Sequence, residues 1–234
     1  MTAPAPLTVR FDRVSHRIGR RTVLDGIDLT LTERRIGIIG LNGSGKSTLA
    51  RMVNALVVPT AGRVLVDGLD TARQAAAVRR KVAFVFTDPD AQIVMPTPAE
   101  DVAFSLRHQG ASPRAAREQA LSALAGFGID HLADSPAHLL SGGEKQLLAL
   151  ASVLVTSPEL VVCDEPTTLL DVRNARRIVR LLTEMAPSLV LVTHHLDQLD
   201  ALERVVVVHE GRVVADDSPA AARRAYLELA EERP

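Results

Sequence analysis

Several features common in other proteins are scarce in this chain of 234 residues, and each scarcity excludes a class of structure. The single cysteine, Cys163, cannot form an intrachain disulfide. The longest nearly unbroken apolar run, at residues 147–155, is far too short to span a bilayer. The Pro/Ala tail at residues 1–6 has no hydrophobic signal region. We therefore expect a cytoplasmic protein that does not cross a membrane itself, with Cys163 as a small residue of its core.

An excess of charge of either sign is also missing. The formal net charge is −1, so the sequence has no basic footprint for nucleic acid, and no nucleic-acid partner is expected. With 47% hydrophobic and 24% charged residues, the composition is typical of one large globular domain. A chain of this length buries roughly 70% of its unfolded surface, which is enough to fold alone.

Short β-branched and apolar runs alternate with helical stretches, which indicates an α/β core whose strands are covered on both faces. The strand-like runs lie at residues 64–66, 82–86, 160–163, 189–192 and 205–208. Between about 97 and 157 no such run occurs, and Thr97 and Ser112 each precede a proline in the pattern of a helix N-cap. Gly126 and Gly128 can end the second of these helices. The sequence therefore predicts an α-helical insertion in an α/β core.

A glycine-rich loop is the strongest functional signal. It follows a predicted strand at 35–39, precedes a predicted helix that starts at Thr48, and has the P-loop pattern Gly40, Leu41, Asn42, Gly43, Ser44, Gly45, Lys46 and Ser47. Glycines let backbone N–H groups approach phosphate oxygens without a clash. Lys46 can supply positive charge to the β and γ phosphates of a nucleotide, and the Ser47 hydroxyl can ligate the Mg²⁺ that bridges them. The alternative is a glycine-rich turn without a ligand.

Two further strand-like runs are followed by ionisable side chains. Asp164 and Glu165 follow residues 160–163, which suits a Mg²⁺ ligand and a base that polarises the attacking water. His194 follows another strand, at the edge where ligands bind in open α/β sheets, and we predict that it senses the γ-phosphate while His195 faces outward. The alternatives are that the carboxylates only cap the next turn and that His194 is an ordinary surface residue.

A second glycine pair opens a predicted helix in the sequence Leu-Ser-Gly-Gly-Glu-Lys-Gln at 140–146. Ser141 and Glu144 are spaced as a capping box, so this stretch alone indicates a helix start, although Gly-Gly at a helix N-terminus can also bind phosphate. Together with the P-loop, the Asp-Glu strand end and the histidine, in this order over essentially the whole chain, the pattern resembles the ABC ATPase family. The resemblance implies an α/β fold: a P-loop NTPase (RecA-like) core with an N-terminal antiparallel β region and an inserted α-helical signature subdomain.

The resemblance also implies how two chains cooperate. In this family the signature of one subunit caps the ATP held by the P-loop of the other, which implies a homodimer, or a pair with a related ATPase, that hydrolyses ATP. Ser141, Gly142 and Gly143 would form the cap, and Asp171 would be the D-loop residue that reaches across the dimer. The implied organisation is a single ABC ATPase domain at 7–234, with its core at 7–96 and 158–234, a helical subdomain at about 97–157 and a flexible tail at 1–6.

Two positions depart from the family pattern. Thr87 stands where the family usually has a glutamine that ligates Mg²⁺ and links ATP to the membrane partner. A threonine hydroxyl can still approach the metal through water, so Thr87 stays a candidate metal ligand. Ile18 stands where the family usually stacks an aromatic ring on adenine. We expect adenine to rest either on His16 or on the aliphatic face of Ile18.

The segment that starts at Thr87 resembles one branch of the family. Thr-Asp-Pro-Asp-Ala-Gln at 87–92, followed by Met-Pro-Thr at 95–97, is similar to the ATPases of energy-coupling factor (ECF) importers, and among them to those of biotin importers. The resemblance implies a peripheral subunit at the cytoplasmic face of the cell membrane. Its Gln92 region would contact the transmembrane T component, and the substrate-binding S component only indirectly.

Other assignments stay open. The chain could serve another ABC importer, for cobalt, nickel or another vitamin, or an exporter. A non-transport ABC ATPase is a more distant alternative, because such proteins are expected to carry long coiled coils, zinc-binding cysteines or tandem cassettes, and this chain has one cassette and one cysteine.

Overall fold

The structure, a computed structural model, describes residues 6–231. Most of the tail predicted at 1–6 therefore lies outside the described residues. The chain divides into two compact units. The first comprises the residues up to Phe84, Glu159–Glu165 and the chain from Leu182 onward; the second comprises Val85–Pro158 and Pro166–Leu181. This division does not test the domain bounds expected from the sequence, which stay a prediction.

Ten strands and seven α-helices alternate along the described residues. In chain order they are β1 (Val9–Ile18), β2 (Arg21–Leu31), β3 (Arg35–Ile39), α1 (Lys46–Val53), β4 (Ala61–Val66), β5 (Leu69–Asp70), α2 (Ala75–Lys81), β6 (Val82–Val85), α3 (Pro98–His108), α4 (Pro113–Gly126), α5 (Gly142–Leu154), β7 (Leu160–Asp164), α6 (Val172–Glu184), β8 (Ser188–Val192), β9 (Arg204–His209), β10 (Arg212–Asp217) and α7 (Pro219–Glu231). Across residues 6–231, no helix combines the length and the apolar composition needed to cross a bilayer.

An antiparallel sheet forms from the N-terminal strands in the order β2-β1-β4-β5. In β1, Val9, Phe11 and Val14 are buried while Arg10 and Arg13 are exposed, as expected for a strand with one covered face. The alternation shifts by one residue at Arg13, where φ is +47° and the register with β2 is interrupted, so a bulge keeps Val14 inside. The antiparallel region implied by the sequence is confirmed.

The second sheet has six strands in the order β10-β9-β3-β8-β7-β6. β3 pairs in parallel with both β8 and β9, and β7 pairs in parallel with β8. Every residue of β7 and β8 is buried, because parallel strands are covered on both faces. Parallel strands run in the same direction, so the carboxyl ends of β3, β7 and β8 meet at one edge of the sheet. The α/β fold predicted from the alternating runs is confirmed.

Helices α3, α4 and α5 lie within the second unit, and Val85–Pro158 contains no strand beyond the end of β6. The predicted helix starts are confirmed, since the hydroxyl of Thr97 accepts the N–H of Glu100 and that of Ser112 accepts the N–H of Ala115. Helix α4 ends at Gly126, and Gly128 follows at φ +70°, a conformation that favours glycine. Helices α3 and α4 thus begin, and α4 ends, where the capping residues predict.

Cys163 offers a direct test of this core. It is fully buried in β7, and burial, with a smaller contribution from the Asp164 carboxylate, raises the pKa of its thiol. Because the thiolate is the reactive form, we predict that the native protein does not react with Ellman's reagent. Unfolding in guanidinium chloride should release one equivalent of thiol, measured by absorbance, since the chain has one cysteine. Rapid labelling of the native protein would contradict the buried position.

Candidate active site

The loop between β3 and α1 needs its glycines for steric reasons. Gly43 and Gly45 have φ values of +78° and +106°, which L side chains rarely adopt. A Cβ on Gly40 would lie 2.1 Å from the carbonyl oxygen of Val208, so no side chain fits there. Within the described residues, the buried hydroxyl of Ser44 has no hydrogen-bond partner. An unpaired buried hydroxyl in a glycine loop is what a bound oxyanion would satisfy.

Lys46 is the cation of this loop and is almost fully buried. Its Nζ donates hydrogen bonds to the carbonyl oxygens of Gly40 at 2.9 Å and Leu41 at 3.1 Å. Burial lowers the pKa of Lys46, and the nearby carboxylates of Glu165 and Asp164 oppose that shift. Two neutral carbonyls compensate a buried ammonium only partly. The loop is therefore suited to a polyanion, which would supply the missing negative charge.

Asp164, at the end of β7, connects this strand to helix α1. Its Oδ1 accepts a hydrogen bond from Ser47 Oγ at 2.7 Å, and its Oδ2 accepts one from Arg51 Nη2 at 3.1 Å. The carboxylate is buried, with 1% of the residue exposed. A hydroxyl and a carboxylate oxygen in contact are the hard donors that Mg²⁺ prefers, with phosphate and water completing its shell. The residues present therefore fit the predicted Mg²⁺ site.

Glu165 stands one residue beyond the strand in a left-handed conformation, with φ +51°. Such a backbone costs a non-glycine residue on the order of 1 kcal/mol, and residues held this way concentrate at functional sites. A hydrogen bond from its N–H to the carbonyl oxygen of Val192, at 2.9 Å, fixes it against β8. Its Oε2 lies 3.0 Å from His194 Nδ1, so a carboxylate and an imidazole meet at the sheet edge.

The two histidines lie side by side at this edge. His194 is the more exposed of the pair and His195 is half-buried, with their ring centroids 4.1 Å apart. The backbone N–H of His195 donates a hydrogen bond to the hydroxyl of Thr193, at 3.0 Å. The expectation that His195 faces outward stays a prediction. The contact between His194 and Glu165 is the part that the sequence order could not show.

In the second unit, Ser141 caps helix α5. Its hydroxyl accepts the N–H of Glu144, and the Glu144 carboxylate accepts the backbone N–H of Ser141 at 2.7 Å, which confirms the capping box. The Ser141 hydroxyl, which also donates to the Glu144 carboxylate at 2.7 Å, and the Ser141 backbone N–H lower the pKa of Glu144. Ser141 and Gly142 are exposed, while Gly143 is buried, and a Cβ on it would lie 2.8 Å from Asn174 Cγ. The N-terminus of α5 is thus stabilised by its capping box and accessible to solvent. Its role in covering the phosphates of ATP stays a prediction.

Asp171 and Thr87 also belong to the second unit. Asp171 accepts hydrogen bonds from the backbone N–H of Asn174 at 2.9 Å and from its side-chain amide at 2.7 Å, and these bonds lower the pKa of Asp171. Thr87 is half-buried two residues after β6. The predicted roles of Asp171 at a dimer contact and of Thr87 at a metal stay predictions.

A cavity of about 300 Å³ adjoins the P-loop in the first unit. It is lined by Arg21, Thr22, Val23, Leu41, Asn42, Gly43, Ser44, His209, Glu210 and Gly211. Neither His16 nor Ile18 is among these residues, and the Ile18 side chain is 63% exposed. Arg21 Nη2 donates a hydrogen bond to the carbonyl oxygen of Gly43 at 3.3 Å, which holds its guanidinium beside the loop. Sequence reasoning missed Arg21 because the pairing of β1 with β2, and not a motif, brings it there.

Comparison with known proteins identifies the class of this site. The family model described as ABC transporter matches residues 24–168. The chain is 50% identical to a putative ABC transporter ATP-binding protein of Deinococcus radiodurans, over 94% of this chain and 97% of that one. It is 42% identical to the biotin transport ATP-binding protein BioM of Rhizobium etli, over 96% and 100%. The structure of cbiO1 from Clostridium perfringens, part of the ABC transporter complex cbiONQ, superposes with a TM-score of 0.81 at 30% identity, over 96% and 94%.

The cavity leads to a prediction for Arg21. A guanidinium stacks well on a planar aromatic base, and this contact is worth about 0.5–2 kcal/mol. We expect Arg21→Ala to raise the KM for ATP roughly three- to tenfold with little change in kcat, measured by steady-state phosphate release. Arg20→Ala removes the same charge from the exposed neighbouring position and is the matched control. Equal KM values for the two variants would exclude a role of Arg21 in nucleotide binding.

Proposed function

Since the chain belongs to the ABC transporter family and is an ABC ATPase, we propose that it is the ATP-hydrolysing subunit of an ECF-type importer. One observation carries the catalytic part of this proposal. The buried cation of Lys46, the Ser47–Asp164 contact and the Glu165–His194 contact lie in one unit, at the carboxyl ends of neighbouring parallel strands. A cation, a metal ligand set and a candidate base are the groups that phosphoryl transfer to water requires.

The loop residues bind and orient the phosphates. Backbone N–H groups between Gly40 and Ser47, together with the N-terminal end of α1, favour an anion, and Ser44 contributes its unpaired hydroxyl. Lys46 exchanges two carbonyl partners for phosphate oxygens. Mg²⁺, held by Ser47 and Asp164 when bound, would neutralise charge on the β and γ phosphates. Arg51 keeps the Asp164 carboxylate oriented from its other oxygen.

Glu165 acts as the base in the hydrolytic step. Its carboxylate accepts a proton from the attacking water as the bond from the water oxygen to the γ-phosphorus forms, and the bond from that phosphorus to the β–γ bridging oxygen breaks, so that ADP and phosphate are released. His194 orients this carboxylate through the 3.0 Å contact and would touch the γ-phosphate. The left-handed backbone of Glu165 supports this role, because residues held in such a conformation concentrate at functional sites.

A second copy of the chain completes the site. The signature residues Ser141, Gly142 and Gly143 stand at a helix N-terminus whose first two residues are exposed, and such an end attracts phosphate. We place them over the ATP of the partner copy, with Asp171 at the contact between the two chains. A related ATPase could take the place of the second copy, because the same residues would face each other.

The transport part of the proposal rests on the segment 87–97 and on the likeness to BioM over the full length of that protein. The segment would contact the transmembrane T component at the cytoplasmic face of the membrane, and the S component would select biotin. The Gln92 amide bonds within its own unit, whereas the Val94 side chain is 65% exposed, so apolar residues of the segment make the contact. Cobalt, nickel or another vitamin is the alternative cargo.

The variant Glu165→Gln tests the catalytic assignment. The amide keeps the size of the side chain but cannot take a proton, so we expect ATP binding to remain and kcat to fall about a hundredfold. Binding of a fluorescent ATP analogue and phosphate release measure the two properties. Glu159→Gln, at the opposite end of β7 in an exposed ion pair with Lys81, is the control and should retain its turnover. Near-normal hydrolysis by Glu165→Gln would refute the role of the base.

Uptake in cells tests the cargo. We expect a host strain without this subunit to lose accumulation of radiolabelled biotin, and the wild-type chain, but not Lys46→Ala, to restore it. A tagged wild-type chain should also purify from membranes together with a transmembrane component. Unchanged biotin uptake in the deletion strain would contradict biotin as the cargo, and cobalt uptake in the same strain would then distinguish the alternative.

A further inference from the structure

One face of helix α5 holds the segment 90–95 at two points directly and at a third through Asp101 of α3. Lys145 Nζ lies 2.7 Å from the Asp90 carboxylate. One turn on, the carbonyl oxygen of Ala149 accepts a hydrogen bond from Gln92 Nε2 at 3.1 Å. One further turn on, Ser152 Oγ donates to Asp101 at 2.7 Å. Positions 145, 149 and 152 are spaced i, i+4 and i+7, so they form a single stripe along the helix.

The carboxylate of Asp101 extends the third point to the segment itself. Its Oδ1 accepts the backbone N–H groups of Val94 at 2.8 Å and Met95 at 3.1 Å. Asp101 and Ser152 are 3% and 6% exposed, so their hydrogen bonds have few competitors in water. The Gln92 amide also accepts the N–H of Phe86, at 3.2 Å, which ties the segment to the end of β6. The segment is thus attached to α5 by polar contacts along its whole length.

Among the described residues, both the surface beside the segment 90–95 and the N-terminus of α5 are exposed to solvent. Beyond the segment, a groove of about 210 Å³ is lined by Met95, Ala99, Glu100, Ala103, Phe104, Arg107, Pro113 and Arg117. Val94, next to it, is 65% exposed. At the N-terminus of α5, one turn before Lys145, Ser141 and Gly142 are exposed. Met95 borders this groove, and the segment that contains Met95 is held by the helix that begins at the signature residues.

We propose that these contacts form a coupling latch: Asp90, Gln92 and Asp101 on one side, and Lys145, Ala149 and Ser152 on α5. A transmembrane partner that displaces the segment moves α5 with it, and Ser141–Gly143 move over the ATP of the second copy. The latch would link the partner to the signature residues through contacts that do not involve Thr87, the threonine at the usual glutamine position. This inference rests on the proposed function, since it needs a partner on the segment and a signature that acts in trans.

The ion pair between Lys145 and Asp90 is the part of the latch that can be opened without unfolding the chain. The Asp90 side chain is 62% exposed and the Lys145 side chain is 15% exposed, so water still screens the pair from one side, and such a pair contributes on the order of 1 kcal/mol to stability. The buried Asp101–Ser152 contact lacks this advantage, because removing one partner leaves an unsatisfied polar group in the core. Asp90 and Lys145 are therefore the residues to exchange.

The experiment compares D90K, K145D and the double exchange D90K/K145D, each as the isolated chain and in complex with the transmembrane component purified from host membranes. We expect both single variants to retain kcat and KM of the isolated chain within threefold. In the complex their ATP turnover should fall at least tenfold, and the double exchange should restore it. E118K, which reverses one charge of the exposed Arg114–Glu118 pair on α4, is the matched control and should have no effect.

The outcomes separate the two proposals. If no transmembrane component purifies with the wild-type chain, the proposed function fails, and the latch fails with it. If the wild-type complex forms and hydrolyses ATP, but the single variants in complex retain wild-type turnover, the latch alone is overturned. It is also overturned if the isolated single variants lose activity to the same extent as the complexes, or if the double exchange does not restore turnover, because a merely structural role would give those results.

Discussion

The hydrogen bond between Ser47 and Asp164 is the contact on which the candidate site depends. It joins the first turn of α1 to the end of a fully buried strand, and Arg51 holds the same carboxylate from its other oxygen. A buried carboxylate without such partners would cost several kcal/mol. The contact therefore fixes the P-loop helix relative to β7. It also leaves two oxygen ligands side by side, which is the arrangement that the proposed Mg²⁺ site uses.

The parallel sheet explains why residues far apart in the chain meet here. Lys46 follows β3, Glu165 follows β7 and His194 follows β8, and these strands are neighbours in the sheet. Each strand places one functional group at the same edge. The second unit organises its own set around α5, whose N-terminus presents Ser141 and whose side holds the segment 90–95. In the proposed dimer, the α5 residues of one chain would complete the phosphate-binding residues of the other.

Much of the fold could be predicted from sequence, because each strong pattern has a local cause. Apolar runs predicted β3, β4 and β6 to β9, but not β1, β2, β5 or β10. Thr97, Ser112 and Ser141 predicted helix starts, and the glycines of the P-loop predicted its conformation. The sequence did not predict contacts between residues that are far apart in the chain. Arg21 reaches the P-loop cavity through hairpin pairing, and Gln92 turns its amide to Ala149, 57 positions away. No local pattern encodes such pairings.

The most direct test of the central claim is the effect of Mg²⁺ on ATP binding by Asp164→Asn, measured by isothermal titration calorimetry. Burial of the single thiol of Cys163 in this variant would establish that it is folded. The account predicts that ATP binds to the wild-type chain more tightly with Mg²⁺ than with EDTA, and that Asp164→Asn loses this gain while its metal-free affinity remains. A full Mg²⁺ gain in Asp164→Asn would contradict a metal site at the Ser47–Asp164 contact.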